Sequence, residues 1–431
     1  MAVAAGTLYT AAARVWTGAL AVAVTALLAR ALGPEGRGIY AALVLFSTIG
    51  ALLGSVGLDH AAASLSAQRL SVALAAVRRG GAAAAFSALV LVLASLIWTL
   101  LGLPTPFGAV RPAFALAALG IPVGVMGLVY GGALRGLNQL RTWNLGLMVE
   151  PAILAAALAA LWLTGAATVT TALCAWLGAQ LVRVGFLGWR LHWGFPHRST
   201  AAAAGWSFVG FGLKVWVSQI VGMLNTRLDY FILLSVAGAA QLGQYSTAVP
   251  VAEITTLGAA GLASAVLPRF AVLDRQESAL LAFRAIRLAL WSALVIGSGL
   301  AVLVPLVTPL LFGPAFQAAV RPALILLPGY LLWSSVHVTT VYFIGAAHRP
   351  LINLWIALLA TMIDIPLAYL LGSRHGAAGA ALGSTIAYGT AAVVNGFVFV
   401  RVSRSSIRQL ATGLDQDMAA VRGLLGRQLS P

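Results

Sequence analysis

Three basic side chains lie within stretches of sequence that are otherwise apolar. Arg14 and Lys214, the only lysine in the chain, each lie about two helical turns into such a stretch, and Arg227 lies further along the second one. An ionisable side chain at the centre of a bilayer costs about 2.5–3.5 kcal/mol, so it is expected to face a partner or a water-filled cavity. Arg14 and Lys214 are therefore predicted to bind an anion. The alternative is that either side chain extends to the nearby membrane surface.

A second polar group lies near the far end of the stretch that contains Lys214. Asn225, Arg227 and Asp229 follow one another at every second position. Positions i and i+2 lie on different faces of a helix, so Arg227 and Asp229 are not expected to pair with each other. Asp229 is predicted to meet a side chain on a neighbouring helix.

Carboxylates also lie next to prolines within apolar stretches. Glu253 follows Pro250 by three residues, and Asp364 precedes Pro366. A carboxylate beside a helix break can help to hold a cation or a proton, so both residues are candidates for H⁺ or Na⁺ coupling. The alternative for each is a buried hydrogen bond to another helix. Glu150 is predicted instead to lie at the end of its helix.

Motifs for catalysis are absent from the sequence. It contains no H-x-x-x-H pair, no G-x-S-x-G motif and no phosphate-binding loop, so no enzyme activity and no ATP-driven step is predicted. A single cysteine, Cys174, excludes a cysteine-based metal cluster. No cofactor or metal is expected. The remaining energy sources are a gradient of H⁺ or Na⁺ and the membrane potential.

The composition shows which elements must position these residues. Hydrophobic residues make up 61% of the 431 residues and charged residues only 8%, which is typical of an all-α polytopic membrane protein. Twelve transmembrane helices are predicted. Their approximate limits are 8–29, 38–57, 80–103, 110–134, 143–164, 166–189, 206–235, 244–267, 284–311, 317–344, 350–371 and 377–400.

The basic residues predict the orientation of these spans. Eighteen of them, including Arg183, are assigned to the tail or to loops on the N-terminal side, and five to the opposite side. This imbalance places both termini in the cytoplasm. The net charge of +16 is thereby explained without a nucleic-acid partner, for which there is no contiguous basic and aromatic patch.

A repeat relates the two halves of the chain. Residues 33–41 and 238–246 both read G-x-x-x-x-G-x-Y-small, at an offset of 205 residues. Each motif is predicted to form a tight hairpin with glycine at its corners and tyrosine at the membrane interface. Two pseudo-symmetric six-helix lobes, 1–195 and 196–401, are therefore predicted around a central cavity. Apolar residues at steps of three and four in 402–431 predict an amphipathic cytoplasmic tail, on the membrane surface or docked on a partner.

Several stretches resemble a known family. The stretches at 27–46, 225–248, 305–320 and 326–333 look like the corresponding segments of bacterial polysaccharide flippases, within the multidrug/oligosaccharidyl-lipid/polysaccharide exporter superfamily. The resemblance implies movement of a lipid-linked oligosaccharide or polysaccharide precursor to the outer leaflet by alternating access. It makes an anionic pyrophosphate the expected ligand of Arg14 and Lys214. It also implies a packing or gating role for the cluster of Asn225, Arg227 and Asp229, with direct substrate contact as the alternative, and Arg227 is a candidate substrate-binding residue.

The resemblance further implies a location and a set of partners. These are the bacterial cytoplasmic membrane, its lipids, the glycan substrate and other polysaccharide-assembly proteins, with the chain working as a monomer. Two alternatives stay open within the superfamily: an ion-coupled multidrug or small-solute exporter, and a lipid II exporter, although that branch usually has fourteen spans. A membrane-embedded polymerase or ligase is a further alternative, against which the short outer loops count.

Overall fold

The computed structural model describes residues 2–65, 77, 79–90, 111–193, 207–270 and 272–405. Every regular element within these residues is helical. This is what a bilayer demands, because a helix satisfies its own backbone hydrogen bonds within one segment. The predicted all-α, multi-pass membrane class is confirmed.

The described residues of the first half include one helix for each of the six predicted spans, named here in that order. A short helix, Leu58–Leu65, follows α2. The bounds are α1 (2–32), α2 (34–55), α3 (79–90), α4 (Arg111–Gly136), α5 (Leu140–Leu163) and α6 (Val169–Trp193).

The second half repeats this order. Helix α8 is interrupted by a 3-10 turn, Ile254–Thr256, just after Pro250, and another 3-10 turn, Pro314–Ala319, precedes α10. The bounds are α7 (207–237), α8 (Ala239–Phe270), α9 (Arg275–Phe312), α10 (Val320–Gly345), α11 (351–375) and α12 (377–403).

Nine stretches within the described residues are long and apolar enough to cross a membrane. Two of them, Trp16–Ser55 and Leu351–Ser403, each contain two helices joined at a non-helical glycine. These nine stretches therefore hold eleven spanning helices, and α3 is the described part of the remaining predicted span. The count is consistent with twelve.

The two repeated motifs form turns of the same shape. Gly33 has φ 65° and ψ −177°, and Gly238 has φ 84° and ψ 175°. Side chains with a Cβ rarely adopt a positive φ, so glycine is needed where the chain reverses without a loop. Gly165, Gly313 and Gly376, which follow α5, α9 and α11, also have positive φ. The chain reverses at the first glycine of both copies, as predicted, whereas the second glycines, Gly38 and Gly243, lie within α2 and α8 and not at a corner.

The described helices belong to two compact units. The first comprises Met1–Arg227 together with Ala239–Gly243 and Leu311–Phe316, and the second comprises the remaining residues. Buried Leu28, Leu43, Leu158 and Trp176 form part of the first core. The second core is aromatic, with Phe283, Phe343, Phe399 and Tyr342 packed mostly edge to face. The predicted tail helix lies beyond the described residues.

Candidate functional site

The residues of the predicted anion site are placed on α1 and α7. Arg14 is in α1 and Lys214 is in α7, but the side chains of both lie outside the part that the structure describes. Further along α7, Asn225 is buried and Arg227 is half-buried. The helices that carry the predicted basic residues are therefore as expected, and the anion site itself stays a prediction.

Asp229 and Asp364 meet in a buried network within the second unit. The Tyr245 hydroxyl donates to Oδ2 of Asp229 at 2.5 Å, and it lies 3.1 Å from the hydroxyl of Ser384. Ser384 in turn hydrogen-bonds to the Asp364 side chain, and the two carboxyl groups interact electrostatically. None of the four residues is more than 4% exposed. The predicted partner of Asp229 on a neighbouring helix is Tyr245 of α8.

Two tight turns bring these four side chains together. Asp229 and Tyr245 lie on either side of Gly238, and Asp364 and Ser384 lie on either side of Gly376. All four residues therefore come from helix segments next to these two reversals. The tyrosine of the repeat motif was expected at the membrane interface, and this expectation is wrong. Tyr245 is 1% exposed because its hydroxyl finds a carboxylate in the core.

This network is rich in oxygen ligands. Tyr330 and Tyr388, which are also buried, interact electrostatically with Tyr245. Oδ1 of Asp364 has no hydrogen-bond partner among the described groups. Two carboxylates with hydroxyl groups between them can accept a proton or a small hard cation. No group of three or more His, Cys, Asp or Glu side chains suited to a metal ion occurs in the described segments.

Glu253 lies at the break in α8. It caps the 3-10 turn Ile254–Thr256, and its Oε1 accepts a hydrogen bond of 3.4 Å from the Tyr330 hydroxyl. The Tyr330 ring also packs against Tyr388 with a centroid separation of 5.5 Å. Glu253 is therefore connected to the edge of the Asp229–Asp364 network through two tyrosines.

An ion pair inside the first unit was not predicted. Nε of Arg183 in α6 lies 2.7 Å from Oε2 of Glu150 in α5. Glu150 lies ten residues into α5 and not at its end, and Arg183 lies ten residues before the end of α6, so both predictions for these residues are wrong. Each charge compensates the other at a depth of about 15 Å from the helix ends. The sequence feature that could have indicated this ion pair was the presence of opposite charges within two adjacent predicted spans.

The two repeat motifs also touch each other, within the first unit. A Cβ placed on Gly38 would overlap the carbonyl oxygen of Ala239, and one placed on Gly243 would overlap that of Pro34. Each contact joins the second glycine of one motif to the second residue of the other. This reciprocity indicates a local pseudo-twofold relation between the two hairpins.

An all-helical membrane chain with two similar hairpins and a buried carboxylate network is the architecture of a secondary transporter. Among solved structures, the chain resembles an inward-facing multidrug resistance MATE family transporter of the MOP superfamily (TM-score 0.72, 17% identity, covering 90% of this chain and 96% of that one). It also resembles the lipid II flippase MurJ in an inward closed conformation (TM-score 0.70, 12% identity, covering 98% and 94%). A MOP superfamily transporter from Pyrococcus furiosus matches with a TM-score of 0.57, 16% identity and 92% of both chains. The chain therefore has a fold similar to that of these transporters.

The family is given by the sequence itself. The profile of the family described as "Polysaccharide biosynthesis protein" matches residues 3–273, which is more than half of the chain. No curated protein matches the chain in sequence. The chain belongs to this family, as the resemblance of its sequence stretches predicts.

Proposed function

We propose that this protein is a flippase that moves a lipid-linked oligosaccharide or polysaccharide precursor from the cytoplasmic to the outer leaflet of the bacterial cytoplasmic membrane. The observation that carries the proposal is membership of the polysaccharide biosynthesis family on a MOP transporter fold. The MurJ structure is that of a lipid II flippase, which makes a lipid-linked glycan the natural class of cargo. Both termini are cytoplasmic in this proposal, and the chain works as a monomer beside other polysaccharide-assembly proteins.

The substrate head group is proposed to bind at Arg14, Lys214 and Arg227. These residues lie on α1 and α7, the equivalent first helices of the two halves. A pyrophosphate carries the charge and the acceptor oxygens that arginine and lysine recognise. The lipid tail would stay in the bilayer while the head group crosses the membrane by alternating access.

The coupling site is proposed to be the Asp229–Asp364 network, with Asn225 and Glu253 as gating residues next to it. Uptake of H⁺ or Na⁺ would neutralise part of its charge and favour one conformation over the other. The competing energy source is the membrane potential alone. Two phosphate charges that move outward across 100 mV, inside negative, would gain about 4–5 kcal/mol.

A second candidate is a multidrug or small-solute exporter, because one of the similar structures is a multidrug transporter. The basic residues on α1 and α7 favour an anionic cargo instead. An enzyme of polysaccharide synthesis is a weaker candidate, since the similar solved folds are those of transporters and flippases. No cofactor belongs to the proposal apart from the coupling ion.

Alanine substitution of Arg14 and of Lys214 tests the proposed function. In cells that depend on this gene for a surface polysaccharide, R14A and K214A are expected to lower surface polymer at least tenfold, because the pyrophosphate loses a charged ligand. Lipid-linked precursor should accumulate on the cytoplasmic face. R349A, in the exposed turn between α10 and α11, is the matched control and should behave like the parent.

Normal surface polymer in both variants, at normal protein level, would remove the anion-binding role. If deletion of the whole gene left precursor export unchanged but lowered drug resistance, the exporter alternative would replace the flippase.

A further inference from the structure

The two halves of the chain hold comparable buried sites built from their second, fifth and sixth helices. Tyr40 in α2 and Tyr245 in α8 occupy the same position of the repeat, seven residues after the turn glycine. Both are nearly fully buried. Tyr40 interacts electrostatically with Glu150, at the middle of α5, and Tyr245 does so with Asp364, at the middle of α11. In both units a buried tyrosine of the second helix therefore interacts electrostatically with a carboxylate of the fifth helix.

The sixth helix of each half supplies a different partner to the carboxylate. In the first unit this partner is the charged guanidinium of Arg183, 2.7 Å from Glu150. In the second it is the neutral hydroxyl of Ser384, which hydrogen-bonds to Asp364. Helix α4 leaves room for the guanidinium, because a Cβ placed on Gly127 would lie 2.8 Å from Nη2 of Arg183. The first site thus carries its own counter-charge.

Two further residues increase this contrast. At the offset of 205 residues Arg37, within the repeat motif, corresponds to Leu242, and Asp229 of α7, outside the motif, adds a second carboxylate to the C-terminal site. Arg37 interacts with Tyr40 and lies 6.0 Å from its ring. The first site therefore holds two arginines and one carboxylate, whereas the second holds two carboxylates. The same framework is biased toward positive charge in one half and negative charge in the other.

We infer that Arg183 is a built-in cation. In the N-terminal half it permanently plays the role that an exchangeable proton or Na⁺ plays between Asp229 and Asp364 in the C-terminal half. A carboxylate held away from water needs a counter-charge or a proton, and a tethered guanidinium supplies that charge in every conformation. The inference rests on the proposed coupling role of the second site. It assigns ion uptake to one half of the molecule and a fixed charge to the other. Arg183 acts through Glu150 and is a positioning residue.

Among the described residues, the groups shown to interact with or lie near Glu150 come from three helices. Arg183 approaches from α6, and Tyr40 with Arg37 from α2. Helix α4 carries Arg135, which stacks at 5.1 Å on Trp143, seven residues before Glu150 in α5. Arg183 is thus the group in direct contact with the carboxylate, and its removal leaves Glu150 to recruit a cation from solution.

The groups shown to act on Asp364 among the described residues are acidic or neutral. Asp229 of α7 interacts with it electrostatically, and Ser384 of α12 hydrogen-bonds to it. Tyr245 connects the two, and Tyr330 and Tyr388 interact with Tyr245. In the proposed coupling role, neutralisation at this second site comes from a bound cation or proton.

Replacement of Arg183 by glutamine should create a new ion dependence. The purified full-length protein would be melted at pH 5 to 8, in NaCl or in choline chloride at equal ionic strength. R183Q is expected to lose several degrees of Tm at pH 8 in choline, and to regain most of the loss in Na⁺ or at pH 5. R183K should behave like the parent, because it keeps a charge at this position. E150Q/R183Q should add no dependence on pH or Na⁺ beyond that of the parent.

An R183Q protein that melts like the parent under every condition overturns the inference, as does a loss of stability that neither acid, Na⁺ nor E150Q restores. If R183Q alone does not accumulate, the E150Q/R183Q protein must do so, since it lacks the charge that needs neutralising; failure of both contradicts the inference.

The parent and D364N report on the proposed coupling separately. A parent whose Tm responds to Na⁺ or pH through Asp364, beside an R183Q protein with no added response, would leave the coupling site standing and remove the built-in cation. An R183Q protein with an added response, beside a parent whose Tm does not respond to Na⁺ or pH through Asp364, would remove the coupling site and support the built-in cation.

Discussion

At the scale of single residues, the buried network depends on one hydroxyl. Tyr245 donates to Asp229 and also lies within hydrogen-bonding distance of Ser384, which is bonded to Asp364. A buried acceptor that loses its donor costs about 1–3 kcal/mol, more when it is charged. The two carboxylates are linked by Tyr245 and Ser384, whose hydroxyl groups carry no charge at neutral pH. This is why the sequence alone singled out Asp229 and Asp364 without indicating that they meet.

Tyr245→Phe and Asp364→Asn should affect transport in different ways. Y245F leaves Asp229 without its donor, so we expect a lower Tm and slower transport that still responds to a pH or Na⁺ gradient. D364N removes a charge but keeps the shape, so we expect folded protein whose transport no longer responds to either gradient. Transport into proteoliposomes with imposed gradients measures both.

The matched control for these variants is Tyr369→Phe, on the same helix as Asp364 but 57% exposed, which should leave Tm and transport unchanged. Transport by D364N with the full gradient response of the parent would exclude Asp364 from coupling.

At the scale of elements, glycine sets how closely the repeated hairpins approach. Gly38 of α2 packs on the backbone of Ala239, and Gly243 of α8 packs on that of Pro34, so neither contact has room for a Cβ. The motif predicted two hairpins with glycine at both corners, and this was correct for the first glycine of each hairpin, Gly33 and Gly238, but not for the second. It did not predict that the second glycine of each hairpin serves the contact between them, because a sequence spacing carries no information about which hairpins meet.

Gly38→Ala and Gly243→Ala should each destabilise the protein. Alanine raises helix propensity by about 1 kcal/mol, but here its Cβ would overlap a backbone carbonyl that has no rotamer to change. We expect a net loss of about 1–3 kcal/mol, which is typical of overpacking, measured as a fall in Tm. Gly396→Ala in α12, where a Cβ would meet nothing within 4 Å, is the control and should be neutral or stabilising. Unchanged Tm in both hairpin variants would show that the contact is not close in solution.

At the scale of the whole molecule, few charges remain within the spanning helices, and most have a partner or a proposed ligand. The Glu150–Arg183 pair lies in the first unit and the Asp229–Asp364 network in the second. Because the cargo is proposed to carry phosphate charge, net charge moves outward in each transport cycle. The membrane potential therefore contributes to the driving force whether or not an ion is coupled.

Collapse of the membrane potential should slow export. In vesicles with an imposed inside-negative potential, we expect transport of a labelled lipid-linked precursor to fall severalfold when valinomycin and equal potassium concentrations abolish the potential. D364N should keep this dependence on potential, since its cargo is unchanged. Transport that is equally fast with and without the potential would contradict an anionic cargo moving as net charge.

The sequence by itself determined the membrane class, a set of spans with which the structure is consistent, the chain reversals at Gly33 and Gly238, and the family. These features are local: a bilayer requires each segment to satisfy its own backbone hydrogen bonds, and composition and glycine spacing report that directly. Only the tertiary structure decided which charges and hydroxyls meet. Glu150 finds Arg183 on the next helix, and Tyr245 finds Ser384 at a distance of 139 residues along the chain. Such pairs depend on which helix faces pack together, and the spacing of residues along the sequence does not reveal this.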